Sequence, residues 1–233
     1  GANATGTNAV SVGIDSLADK DNAVAIGVNS KAQNNSNIAI GNLATATGNT
    51  SAIAVGRESV ASGTSSIATG YKSAASTENS IAIGNTAAAN GGAGAIAVGK
   101  GTTATGTSAV VMGTDSSGTA QSVVVIGNAS KATADNAVVI GIKANATGSG
   151  NVAIGENAGE AHSSNSQGNN TVLIGVKAGS QSTNNQAQVA VGWQAGQGTL
   201  GAYNVASGYQ AGQFVNGTNN VAFGKGAGSG TSA

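Results

Sequence analysis

NAVAIG, at residues 22–27, contains the pattern that decides the fold of this 233-residue chain. A unit of the form apolar–small–apolar–Gly, or apolar–apolar–apolar–Gly, ends at Gly27 and recurs with small variations in fifteen copies. Its glycines are 14 or 15 residues apart up to Gly155, and 20, 17, 16 and 16 residues apart after it. The repeat glycines are Gly13, Gly27, Gly41, Gly56, Gly70, Gly84, Gly99, Gly113, Gly127, Gly141, Gly155, Gly175, Gly192, Gly208 and Gly224.

Each copy places mostly β-branched residues three positions and one position before its glycine, as Val24 and Ile26 do before Gly27. Residues at i and i+2 point to the same face of a strand, and β-branched side chains favour strands. A period of 14 is shorter than the roughly 20 to 50 residues of helical repeats and propeller blades. Because it fits two short strands and two turns, the period predicts an all-β, stacked β-roll (solenoid) of about 15 coils.

The recurring glycine separates this fold from a coiled coil, whose period of about 7 residues divides 14. A coiled coil does not accept glycine in every second heptad. We therefore predict that each repeat glycine marks a tight turn with positive φ or a close approach between backbones.

The residue between the two β-branched positions is also apolar in nearly every coil, for example Ala25, Ala82 and Val125. A strand that is apolar on both faces must be covered on both. One face can fill the thin interior of the roll. The other face must then be covered by copies of the same chain, so we predict an obligate homo-oligomer. We expect the Val/Ile pair to fill the roll and the Ala/Val column to face the partner, although the sequence alone also allows the reverse.

Composition excludes several classes of function. Nine basic and nine acidic residues give no net charge, so we expect no nucleic-acid partner and no binding to anionic membranes. The absence of cysteine removes disulfides, zinc–thiolate sites and thiol nucleophiles. His162 is the one histidine and has no catalytic partner in the sequence, so we expect no enzyme activity, no metal and no cofactor.

The charged residues are expected to form a mixed-sign ridge on an exposed turn. Ten of the eighteen lie one or two residues after a repeat glycine, and stacking of the coils would align them. They are Asp15, Arg57, Glu58, Lys72, Lys100, Asp115, Lys143, Glu156, Lys177 and Lys225.

Ligand binding is expected in two places in the last third of the chain. The polar insertion at residues 160–170 is the longest loop, and loops on a rigid scaffold often carry recognition. Most aromatic residues also lie in this part of the chain, where they could form an exposed patch or cover the enlarged coils. The candidate ligand-binding residues are His162, Asn165, Gln167, Trp193, Tyr203 and Tyr209.

NAVAIG, NSIAIG at residues 79–84 and NVAIG at residues 151–155 resemble the NSVAIG repeats of YadA-like trimeric autotransporter adhesin heads. The SKA and ATG segments between the repeats strengthen this resemblance, which covers essentially the whole chain. It implies a left-handed parallel β-roll that forms a homotrimer on the surface of a Gram-negative bacterium. It also implies binding to collagen, fibronectin, laminin or host cell receptors, together with autoagglutination and biofilm formation.

The resemblance implies a stalk and a C-terminal anchor outside this sequence, so membrane attachment is expected only through those regions. Residues 1–155 carry regular repeats of 14 or 15 residues, and residues 156–233 carry longer repeats with an Ala-Gly pair. The longer repeats resemble larger heads of the Moraxella ubiquitous surface proteins and of some Acinetobacter adhesins. The alternative functions are a passive structural or ice-binding β-solenoid and a segment of a phage tail fibre.

Overall fold

The computed structural model of the chain describes residues 1–160, 169–183 and 186–230. The chain divides into two compact units, Gly1–Asp115 and Ser116–Ala233. In both units the described residues form strands and turns and no helix. Among these residues there is accordingly no helical segment with the length and apolarity to cross a membrane.

In the first unit, each coil contributes one strand to a wide sheet and one two-residue strand to a narrow sheet. The strands of the wide sheet are β2 (Val10–Val12), β4 (Val24–Ile26), β6 (Ile38–Ile40), β8 (Ile53–Val55), β10 (Ile67–Thr69), β12 (Ile81–Ile83), β14 (Ile96–Val98) and β16 (Val110–Thr114). Those of the narrow sheet are β1 (Asn3–Ala4), β3 (Leu17–Ala18), β5 (Lys31–Ala32), β7 (Thr45–Ala46), β9 (Val60–Ala61), β11 (Ala74–Ala75), β13 (Ala88–Ala89) and β15 (Thr103–Ala104).

The second unit continues the wide-sheet pattern through all its coils, but its narrow sheet ends after three strands. The strands of its wide sheet are β18 (Val124–Asn128), β20 (Val138–Ile142), β22 (Val152–Ile154), β23 (Val172–Ile174), β24 (Val189–Val191), β25 (Val205–Ser207) and β26 (Val221–Phe223). Those of its narrow sheet are β17 (Ser117–Gly118), β19 (Lys131–Ala132) and β21 (Asn145–Ala146).

Strands pair in parallel with their counterparts in the next coil, and equivalent residues lie opposite one another. In β10 and β12, for example, Ile67 lies opposite Ile81 and Ala68 lies opposite Ala82. The coils are joined by backbone hydrogen bonds such as Gly27 N–H to the Val12 carbonyl, at 2.7 Å. This register confirms the predicted all-β, parallel β-solenoid, with about fifteen coils counted over the described residues.

The expected orientation of the wide-sheet strands is wrong, and the reverse holds. The middle residue of each strand, such as Ala82 or Val125, is fully buried inside the roll. The Val/Ile pair on either side of it points outward, so that Ile83 remains 41% exposed. The interior is lined largely by small side chains, including the alanines of the narrow sheet such as Ala32 and Ala46. The gap between two facing sheets of so short a coil admits alanine more readily than a full layer of isoleucine.

Polar residues inside the roll satisfy the backbone of neighbouring coils. Asn37 is fully buried, and its Nδ2 donates to the carbonyls of Ala46, at 3.0 Å, and Gly48, at 2.9 Å. Its Oδ1 accepts the N–H of Ala52 at 2.8 Å. Because a buried amide is costly unless its donors and acceptors are paired, this network explains how a polar residue fits the interior.

Gly27 shows how a repeat glycine meets both conditions that the sequence suggested. Gly27 has a φ of +129°, which residues with a side chain rarely adopt. A Cβ at this position would lie 2.5 Å from the carbonyl oxygen of Gly41 in the next coil. The prediction that the glycine marks a positive φ or a close backbone approach is therefore confirmed, and at Gly27 both hold.

The later coils replace the narrow strand with a turn built on the Ala-Gly pair. In one of them, Ala178 is fully buried and Gly179 has a φ of +59°. A Cβ on Gly179 would lie 2.4 Å from Cδ2 of Leu173, which is the largest fully buried side chain among the described residues. The glycine thus provides the room for a larger interior residue than alanine.

Candidate functional site

The outer side of the wide sheet is a largely apolar surface in each unit, interrupted by Thr69 in the first and Ser207 in the second, and we call it the outer apolar face. It consists of the residues three positions and one position before each repeat glycine. Monomeric proteins rarely expose large contiguous apolar patches, so such a face indicates an interface. Its most exposed members are Val10, Val12, Ile26, Ile40, Ile83 and Met112 in the first unit, and Ile126, Ile140, Ile174, Val191, Val221 and Phe223 in the second.

Two of the predicted binding residues, Trp193 and Tyr209, lie against each other. Each follows a repeat glycine, so stacking of the coils brings their rings together with centroids 4.7 Å apart and planes at 14°. The side chains remain 39% and 46% exposed. Lys225 occupies the same position in the next coil, with its Nζ 5.6 Å from the Tyr209 centroid. We call Trp193, Tyr209 and Lys225 the aromatic ladder.

The remaining predicted site residues do not join this ladder. Tyr203 lies in a different column, five residues before its repeat glycine, with a φ of +60° and 53% exposure. Its hydroxyl donates to Oε1 of Gln186 at 3.4 Å, and no ring contact of Tyr203 occurs within the described part of the chain. His162, Asn165 and Gln167 lie outside the described residues.

Phe214 does not belong to an exposed patch. It covers one of the enlarged coils, which is the other role that the sequence allowed for the aromatic residues. It is half-buried, and a Cβ on Gly198 would come within 2.5 Å of its Cδ1. The ring therefore packs closely on the backbone of the neighbouring coil. Trp193 and Tyr209 thus form an exposed pair whereas Phe214 covers the coil, a distinction that the sequence alone left undecided.

The first unit has an exposed charged cluster that the sequence predicted only as part of a ridge. Cζ of Arg57 lies 4.4 Å from the ring centroid of Tyr71, and Nζ of Lys72 lies 5.2 Å from it. Glu58 forms ion pairs at 3.4 Å with both Arg57 and Lys72. Exposed ion pairs of this kind contribute little to stability because water screens them, so the cluster is a solvated edge with an aromatic centre.

The pKa of the Lys72 ammonium is raised above its ordinary value. Hydrogen bonding with Tyr71 is the main cause, and the negative charge of Glu58 raises this pKa further. Both interactions favour the charged form of the lysine. The lysine therefore stays protonated at neutral pH.

Glutamine ladders run beside the aromatic ladder on the same turns and were not foreseen. Nε2 of Gln210 donates to Oε1 of Gln194 at 3.0 Å, and Nε2 of Gln213 donates to Oε1 of Gln197 at 2.8 Å. The signal was present in the sequence, because glutamines recur two and five residues after Gly192 and Gly208. A repeated amide at one position of a stacked coil predicts such a ladder.

Over the part of the chain that the structure describes, no group of three or more His, Cys, Asp or Glu side chains could hold a metal ion. The surfaces that remain as candidates are therefore the outer apolar face, the aromatic ladder and the polar turns beside it.

A known family model matches much of the chain. The model of the YadA head domain repeat (2 copies) matches residues 4–30, 38–59, 49–73, 61–87, 91–116, 124–144 and 132–158. These ranges cover more than half of the chain and run across the regular coils. No curated protein matches the sequence.

Proposed function

The chain belongs to the YadA head domain repeat family, and from this premise we propose that it is the binding head of a Gram-negative outer-membrane adhesin. YadA head domains belong to surface-exposed bacterial adhesins that are generally not enzymes. The head attaches to host matrix proteins such as collagen, fibronectin and laminin, or to host cell receptors. Its activity is binding, and no catalytic step is involved.

The observation that carries this proposal is the outer apolar face. Most coils present outward apolar side chains there, such as Ile83, Ile126 and Ile140, which remain 41%, 40% and 36% exposed in the described part of the chain. Further copies of the same chain would match this face coil by coil, because they repeat the same pattern at the same spacing. We propose a left-handed roll that assembles into a homotrimer with this face at its centre.

A trimer of stacked coils displays each turn three times. Weak contacts repeated in this way gain strength through multivalency, both on one fibre and across many fibres. This supports autoagglutination and biofilm formation as further consequences of the same surface.

The contact residues proposed for the host ligand lie in the late coils. The aromatic ladder offers exposed, rigid apolar rings beside a cation, which are features of strong protein contacts. Tyr203 and the insertion residues His162, Asn165 and Gln167 complete the set proposed from the sequence.

The test is a solid-phase binding screen of the purified head against immobilised collagen, fibronectin and laminin, and against host cells. We expect saturable binding to at least one of them, and weaker binding when Trp193 and Tyr209 are both replaced by alanine. Replacement of Tyr71 by alanine is the matched control, since it removes a ring from the equivalent position of an earlier coil. A head that binds none of these surfaces contradicts the proposed function, and unchanged binding by the double variant removes the aromatic ladder from it.

A further inference from the structure

We propose that a polar cleft on the turns of the late coils binds a single neutral sugar ring. This proposal rests on the proposed adhesive function, because it names the chemical class of one ligand of the head. The cleft has a volume of about 250 Å³, which is smaller than the roughly 300 to 1,000 Å³ of pockets for drug-sized molecules. Its lining consists of Asn157, Glu160, Lys177, Ser180, Gln181 and Gln197.

Two polar atoms in this lining are buried without a hydrogen-bond partner. Ser180 is only 5% exposed, and neither its Oγ nor Oδ1 of Asn157 has a hydrogen-bond partner among the residues that the structure describes. Buried polar groups are nearly always paired, so an unpaired one needs an explanation. Both residues line the same cleft, but the two atoms themselves have almost no accessible surface. The hydroxyl groups of a ligand would therefore pair with them once the two side chains rotate toward the cleft.

The next two coils show how the position of Ser180 is occupied when its polar side chain has a hydrogen-bond partner. Ser180 lies five residues after its repeat glycine, and in the next two coils that position holds Gln197 and Gln213. There the two amides bond to each other at 2.8 Å. The ladder stops at Ser180, whose side chain is too short to continue it, and the cleft lies at this interruption.

Gln197 adds an amide donor to the residues that line the cleft. Its Oε1 accepts from Gln213, on the side of the later coil. Its Nε2 is on the other branch of the amide, and it forms no hydrogen bond to any described residue. Since Gln197 is part of the lining, this donor is available to a ligand.

The charges in the cleft indicate a neutral ligand. Glu160 and Lys177 both line it, and they do not form an ion pair with each other or with other described residues. The ammonium of Lys177 disfavours a metal cation, and the carboxylate of Glu160 disfavours an anion. A sugar ring fits this mixture, because each of its hydroxyl groups can both donate and accept a hydrogen bond.

The experiment measures binding of methyl glycosides of glucose, galactose, N-acetylglucosamine and N-acetylgalactosamine to the purified head by saturation-transfer difference NMR. Each sugar is supplied at about 10 mM, which exceeds the roughly millimolar Kd of a weak single site. We expect saturation transfer to at least one glycoside, with the ring protons receiving most of it.

The decisive variant is Ser180→Gln, which extends the amide ladder by one coil and fills the cleft. We expect it to weaken sugar binding by about tenfold or more without lowering the unfolding temperature. Ser229→Gln is the matched control, because Ser229 has the equivalent position in the last coil, away from the cleft, and is exposed. This control is expected to bind like the wild type.

Lys177→Gln is the second variant and is used whether or not Ser180→Gln folds. The next two coils hold Gln194 and Gln210 at the equivalent position, with φ of +53° and +55°. Glutamine is therefore compatible with this turn, and we expect a loss of about fivefold or more in sugar affinity.

The proposal is overturned if the wild type shows no transfer to any of the four glycosides. It is also overturned if a folded variant of the cleft binds the sugar as the wild type does. The attachment screen on matrix proteins and cells, run on the same preparations, separates the two hypotheses. Attachment without sugar binding removes only the sugar site, whereas loss of both removes the proposed adhesive function as well.

Discussion

Replacing Ile83 with aspartate tests whether the outer apolar face holds copies of the chain together. Ile83 is 41% exposed in the single chain, while its neighbour Ala82 is fully buried. Complete burial of an isoleucine side chain is worth about 1.5 to 3 kcal/mol. The exposed 41% therefore leaves about 0.6 to 1.2 kcal/mol per copy to be gained at an interface.

The substitution removes this gain in every copy and adds a carboxylate to a surface that assembly would dehydrate. In a trimer the lost burial alone amounts to about 2 to 4 kcal/mol. An unpaired charge brought into such an interface costs several kcal/mol more per ion. We therefore expect Ile83→Asp to dissociate the assembly while the coil, whose interior is unchanged, retains its β-sheet signal.

Sedimentation velocity at equal protein concentrations measures the assembly, and far-ultraviolet circular dichroism measures the fold. The wild type should sediment at three times the mass of the chain and the variant as a smaller species. Ser76→Asp is the control, since it adds the same charge at an exposed position after the narrow strand β11. The reasoning is refuted if Ile83→Asp keeps the mass and the unfolding midpoint of the wild type, or if the wild type is a folded monomer.

The other predictions concern the stability of the coils. Leu173→Ala should lower the free energy of unfolding by about 2 to 5 kcal/mol, because it leaves a cavity beside Gly179. Urea denaturation measures this loss. A loss under about 1 kcal/mol would mean that the coil collapses around the gap. Gly27→Ala should lower the unfolding temperature, because its φ of +129° and the 2.5 Å approach to Gly41 both resist a Cβ, and an unchanged temperature would contradict this account. Lys72 should titrate above its ordinary pKa when followed by NMR, and Tyr71→Leu should lower that pKa, because hydrogen bonding with Tyr71 is its main cause. Since this pKa is raised on folding, the associated stability is present below the unfolded pKa and is lost as the pH rises through the folded pKa; a titration that Tyr71→Leu leaves unchanged would contradict the assignment.

Much of the candidate site depends on details that only stacking reveals. The sequence placed Trp193 and Tyr209 at equivalent positions after their glycines, which was enough to suggest an exposed patch. It did not distinguish them from Phe214, which packs on Gly198, because all three rings occur in the same enlarged coils. The cleft was also missed, since its lining comes from three coils whose alignment depends on the lengths of the loops between them.

The repeating unit, the strands and the turns could all be read from the sequence, because each follows from local properties of a few residues. β-Branched residues two positions apart favour a strand, and a recurring glycine allows a turn that other residues resist. The tertiary structure alone decided which side of each strand faces inward. Side chains alternate between the two faces of a strand in the same way whichever face points into the roll. The narrow space between the two sheets favours alanine in the interior and leaves the larger Val/Ile pair outside.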